Sequence, residues 1–172
     1  MNRTQNPTGT AADTTTDLVV TPALILRGAA NYLELHGWIR GDYYGTVRPF
    51  PPADAGGALG MAAHGAVTTC PFLDGPHVRD CNRAYRYLCD YLTLRDELPV
   101  TGPVVEGLTL SFWNDDPWQT VDNVIASLRA AADEYDWTHA SEDDLETFAE
   151  NELDNDRIPT RAGFLAWLAG RR

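Results

Sequence analysis

The chain contains no lysine: its 13 basic residues are all arginine, set against 25 acidic residues, for a formal net charge of −12 over 172 residues. Contact with a nucleic-acid backbone needs clustered cations facing the phosphates, so this balance argues against direct nucleic-acid binding. It disfavours an anionic membrane surface for the same reason. Nowhere does the sequence approach the ~20 consecutive apolar residues of a membrane-spanning helix. The polar, threonine-rich start, Met1–Asp17, lacks the apolar centre of a signal peptide, and a cytoplasmic location is the expectation. Cysteine is scarce as well. Three residues, Cys70, Cys81 and Cys89, cannot all pair within one chain, so reduced thiols are expected rather than a disulfide framework.

The patterns that announce chemistry are missing too. His36, His64, His77 and His139 are scattered, with no CxxC and no HxxxH among them. The acid-rich region lacks the Asp-x-Asp-x-Asp-Gly spacing of a calcium loop. Gly56-Gly57 and Gly60 do not follow a predicted strand, no lysine exists to meet a phosphate, and no G-x-S-x-G elbow occurs. Cys70 lies six residues after His64 and seven before His77. A thiol nucleophile needs a base and an orienting group assembled in space, which proximity in sequence does not supply. A small buried or incidental cysteine is the favoured reading, and Cys81 and Cys89 belong to the core stripe of one predicted helix. The expectation is therefore no catalytic residue, no metal and no cofactor.

What is present is the material of a helical core. Hydrophobic residues make up 44% of the chain, enough for one domain with extensions. Residues 1–18 read as a disordered leader. Thr21 and Pro22 open a helix at about 22–36 that carries Leu26, Ala29, Ala30 and Leu33 and stops at Gly37. Loops follow, then a short, small-residue helix at Ala58–Val67 that neighbours approach closely. A helix at about 78–94 presents Cys81, Ala84, Tyr85, Leu88, Tyr91 and Leu92 on one side. Leu108–Phe112 is a short apolar run. After Asp115-Asp116-Pro117, Thr120 caps the clearest segment, with Val121, Val124, Ile125, Leu128, Ala131, Ala132 and Tyr135 in one stripe. Ser141 and Thr160 open two more helices. The fold class is all-α or α-dominated: a small bundle of five to six helices with long loops and at most minor β structure, at 43–48 and 107–112. The domain reading is a leader at 1–18, a helical core at 19–137 and an acidic helical extension at 138–172.

Several short patterns occur together and in order: Ile25-Leu26-Arg27 with Ala29-Ala30, Gly37-Trp38 with Arg40-Gly41, Ala58-Leu59-Gly60, and Trp113-Asn114-Asp115 before a helix. Over about residues 22–135 the chain resembles a family of small uncharacterised proteins from actinobacteria and their phages, classed as a domain of unknown function. A lysine-free, alanine-, glycine- and aspartate-rich composition, as from a GC-rich coding sequence, fits such a source. The chain departs from the family pattern at Gly57, where a cysteine is common, and at Arg40, where glutamine is common. The resemblance implies no activity.

Two groups of residues are candidates for function. Trp38, Arg40 and Tyr43 could form a pocket with Trp113, Asn114 and Asp115, two tryptophans and a set of polar groups that suit a polar ligand with a ring. The plainer account is a helix start, in which Trp113 packs and Asn114 or Asp115 accepts backbone hydrogen bonds. The second group is the acidic extension. Residues 133–156 hold eleven acids and no base, which leaves the other 148 residues close to neutral. Glu142, Asp143, Asp144 and Glu146 could face a basic protein or mimic a nucleic acid toward a DNA-binding protein. A solvated face over an ordinary amphipathic helix is the plainer account of any charge run. The leading reading is a non-enzymatic accessory or interaction protein of phage or mobile-element origin. The alternative is a small-ligand binder or enzyme with its pocket between 38–44 and 113–116. Oligomeric state stays open.

Overall fold

The computed structural model describes residues 20–46, 48–95, 97–98 and 108–171. The predicted leader at 1–18 and most of the 95–107 linker lie outside them. The described residues form seven helices: α1 (Pro22–His36), α2 (Ala55–His64), α3 (Val78–Leu94), α4 (Leu108–Asp115), α5 (Val121–Thr138), α6 (Glu142–Asp154) and α7 (Arg161–Ala169). Among these residues none of the helices is long and apolar enough to cross a membrane.

Local capping chemistry sets most boundaries. Thr21, Thr120, Ser141 and Thr160 each accept the N–H of the residue three positions on, at 3.1–3.3 Å, which satisfies a donor the first turn leaves open. Pro22 occupies the first turn of α1, and Gly37, at φ +94°, closes it by donating to the Leu33 carbonyl at 2.9 Å.

α1 lies at the centre and packs against α2, α3 and α5. Its faces explain this placement: Ala23, Leu26, Ala29, Ala30 and Leu33 are at most 1% exposed. From α3 come Cys81, Ala84, Tyr85, Leu88 and Leu92, and from α5 come Val124, Leu128, Ala131 and Ala132, all fully buried. The remaining positions of the predicted α5 stripe lie toward its edges, with Val121 exposed and Ile125 and Tyr135 half-buried. α7 packs on α5, and α6 on α7, around a smaller aromatic cluster of Trp137, Phe148, Phe164 and Trp167 whose rings lie 5.6–5.8 Å apart.

Three sequence expectations need correction. The helix count is seven rather than five to six, because the run at 108–112, which a strand at 107–112 would have used, is the first part of α4. Its inward positions are Leu110, Trp113 and Asn114, at helical spacing. The stripe was hidden because one of its three members is an amide. The 58–67 helix starts three residues earlier and stops before Gly65, which takes the left-handed conformation at φ +72°. Its cap, Asp54, stands directly after Pro51-Pro52-Ala53, where the prolines read as loop. At 43–48 no strand forms among the described residues. Ala53 makes single bridges to Trp38 and Tyr44 instead.

α1 and α5 are also joined by charge. Arg27 donates to Asp133 Oδ1 and to Asp136 Oδ2, both at 2.5 Å. The Asp136 side chain is 4% exposed and the Arg27 side chain 31%. Removing one partner of a buried pair costs more than the pair contributes, because the charge left behind has lost its water. Arg27→Ala is expected to lower the unfolding free energy by about 2–3 kcal/mol. Arg129→Ala, which breaks the half-exposed pair with Glu34, should cost below ~1 kcal/mol. Urea unfolding of both variants checks the contrast, and equal losses would show that burial of Asp136 is not what matters.

Candidate functional site

The two segments singled out by sequence, 38–44 and 113–116, meet in the structure. After Gly37 the chain folds back along 51–54. Ile39 N–H donates to Ala53 O at 3.0 Å, Ala53 N–H to Gly37 O at 3.1 Å, Asp54 N–H to Tyr43 O at 3.1 Å and Gly45 N–H to Pro52 O at 2.8 Å. The loop then lies across the start of α2. This contact requires glycine there: a Cβ on Gly57 would stand 1.9 Å from the Tyr43 carbonyl oxygen. Tyr32 fixes the other end of this region by donating to Pro51 O at 2.6 Å.

Asn114, at the end of α4, is fully buried beneath this loop. Its Oδ1 accepts Trp38 Nε1–H at 2.6 Å and Ala55 N–H at 3.1 Å. Its Nδ2 donates to Ile39 O at 3.1 Å and to Asp115 Oδ1 at 2.9 Å. An amide has two lone pairs and two N–H donors, so all four are used. Asp115 Oδ1 also accepts Gly41 N–H at 2.9 Å. Trp38, Asn114 and Asp115 are thus one hydrogen-bonded unit that pins the loop to α4 and α2.

The other three candidates surround this unit. Arg40 lays its guanidinium over the Trp38 ring, 4.8 Å from the centroid, and donates to the Gln119 carbonyl. Tyr43 packs edge-on to Phe72, with centroids 5.9 Å apart, and burial pushes its hydroxyl up to about 12. Trp113 is 7% exposed and belongs to the core.

Beside the unit, a groove of about 760 Å³ runs between α1 and α5. Leu33, Gly37, Trp38, Val121 and Ile125 line it, with Asp122 and the Glu34–Arg129 pair at its rim. Trp38 is the candidate residue that reaches it. A second groove, of about 670 Å³, separates α3 and α5 from α7.

Sequence reasoning missed Asp54. Its carboxylate caps α2 by accepting Gly57 N–H at 2.6 Å and is 3% exposed. Burial, with Asp115 and Asp42 adding to it, pushes the group up to about 7 against the pull of the Gly57 and Gly56 amides. An aspartate directly before Ala-Gly-Gly-Ala-Leu was the available signal, a standard helix opening.

The remaining candidates stand apart from this unit. Burial pushes the Cys81 thiol up to about 12 and the Cys89 thiol up to about 11, so both stay protonated. His64 is tied locally, with Nε2 at 2.8 Å from Pro71 O and Nδ1 accepting His77 N–H at 3.2 Å. In the acidic extension, Asp144 accepts from Ser141 Oγ at 2.8 Å and from Arg171 at 2.9 Å. Glu142, Asp143 and Glu146 are exposed and make no ion pair among the described residues.

Asn114→Ala would strand Trp38 Nε1–H, Ala55 N–H and Ile39 O. The expected loss is about 3 kcal/mol, since each buried unsatisfied group carries a desolvation cost. Asn114→Asp should be worse at neutral pH, because it sets a second carboxylate against Asp115 and against the Ile39 carbonyl, and milder in acid. Thermal melts at pH 5 and pH 8 check the order. An Asn114→Asp protein as stable as the parent at pH 8 would contradict the hub.

No curated protein and no solved structure matches the chain. Residues 18–134, which run from the approach to α1 through most of α5, match DUF6197, a family of unknown function. The chain belongs to the DUF6197 family, whose domain contains the Trp38–Asn114–Asp115 unit, while α6 and α7 lie beyond the matched residues.

Proposed function

We propose that the protein is a non-enzymatic cytoplasmic accessory protein, carried by a phage or mobile element, that docks a basic protein partner through the acidic face of α6. One observation carries this reading. Glu142, Glu146, Glu150 and Asp154 follow one another at four-residue spacing, are all exposed, and make no ion pair among the described residues. Like charges at that spacing repel along a helix, by roughly 0.2–0.5 kcal/mol per pair. Five other acids of the same region are neutralised: Asp133 and Asp136 by Arg27, Glu134 by Arg161, Asp144 by Arg171 and Glu152 by Arg157. The α6 ladder and the neighbouring Asp143 are what an arginine- or lysine-rich surface would meet. The polar groups of Asn114, by contrast, are spent on the fold.

The test is capture of a partner from host lysate with the full chain, compared with a Glu142→Gln, Asp143→Asn, Glu146→Gln variant that leaves the paired Asp144 intact. A basic partner should be recovered by the parent, reduced at least tenfold with the variant, and released by salt. Equal recovery by both proteins overturns the proposal.

The alternative, a small-ligand binder or an enzyme with Trp38, Arg40, Tyr43, Trp113, Asn114 and Asp115 about its pocket, draws its support from the α1–α5 groove that reaches Trp38. A metabolite that raises the thermal midpoint of the parent but not of a Trp38→Ala protein would favour it.

A further inference from the structure

The start of α2 holds an ionisable group with no counter-charge. Asp54 is buried, and the partners of its carboxylate are backbone amides of its own helix. The titratable groups facing it are Asp42, Tyr43 and Tyr44 from the covering loop and Asp115 from α4. Among the described residues no arginine pairs with it, and the one on the loop, Arg40, is turned to Trp38 and the Gln119 carbonyl. An ionised Asp54 therefore sits desolvated among other carboxylates, and the structure can relieve this by admitting water.

The two sides of Asp54 differ in how they are held. α2 is anchored by Ala55, Ala58, Leu59 and Met61, all at most 5% exposed. The loop is held by hydrogen bonds, those to Asn114 and Asp115 included, and by Trp38, Tyr43 and Tyr44, which are only half-buried against the core. Its backbone carries Gly37 at φ +94° and Gly41 at φ +88°, conformations from which glycine swings at little steric cost. We propose that residues 37–45 form a proton-governed latch over the start of α2, closed while Asp54 carries a proton and opening more often as Asp54 ionises. Opening uncovers Gly56 and Gly57 and frees the Trp38 indole N–H from Asn114. This device is independent of the acidic-face reading.

The expected pH dependence follows from linkage. In the closed loop Asp54 holds its proton up to about 7. In the open loop it returns toward its ordinary 3.8. Between these values the closed form binds the extra proton, so closure is strongest in acid and is lost as pH rises. The opening constant should rise about tenfold per pH unit across that window and level off above pH ~7.

Hydrogen exchange on the full chain between pH 5 and 8, corrected for intrinsic exchange, reads this directly. The amides of Ile39, Gly41, Gly45 and Asp54 should exchange at least tenfold faster than core amides such as Leu26 and Val124, with protection falling up to pH ~7. In Asp54→Asn, which keeps a good cap, the protection should be flat with pH. A slope that persists in Asp54→Asn, or loop amides as protected as the core, overturns the latch. A carboxyl-carbon titration of Asp54 in the unmutated protein is the second measurement. A midpoint about 7 supports the latch, and one in the ordinary carboxylate range overturns it.

Discussion

Three of the four hydrogen bonds made by one buried amide tie together segments that sequence keeps far apart. Asn114 sits 76 residues from Trp38 and 59 from Ala55, yet it holds the ring of the first and the backbone of the second. The loop after α1, the start of α2 and the end of α4 depend on this residue for their mutual position. A polar side chain can do this where an apolar one cannot, because an amide has directed donors and acceptors and is costly to bury unless all are met. The price of that arrangement is chemical silence: a saturated Asn114 has no donor or acceptor left for a ligand.

The same junction brings carboxylates close together. Asp115 is needed to hold Asn114 and Gly41, and Asp54 to cap α2. Each is ordinary capping or turn chemistry. The setting of Asp54 is not, because burial, with the like charges of Asp115 and Asp42 adding to it, pushes the group up to about 7. A local requirement of helix formation thus acquires a dependence on pH once the loop is folded over it.

The acidity of the chain divides in two when seen in three dimensions. In sequence, residues 133–156 form one uniform block. In the structure, Asp133 and Asp136 face α1 and clamp Arg27, Glu134 meets α7, and Asp144 and Glu152 bond within the α6–α7 pair. These charges are part of the packing. The ladder from Glu142 to Asp154 points to solvent and repels itself. The two groups answer to different physics, one to desolvation and the other to screening by salt.

Caps and stripes made α1, α3, α5, α6 and α7 legible, because Thr21, Thr120, Ser141 and Thr160 act within one turn and apolar residues recur at the helical period. The same local signals brought the Trp38 and Asn114 segments under suspicion together. Sequence alone did not resolve α4, whose inward face includes Asn114, nor the start of α2, whose capping Asp54 follows two prolines. It did not assign Arg27 its partners. The Asp54 cap is local, and the prolines before it masked its signal; the inward face of α4 and the partners of Arg27 rest on contacts between residues distant in the chain. Local hydrogen bonding and periodicity are written in neighbouring residues. Which polar group is buried, and against what, is decided when the helices pack.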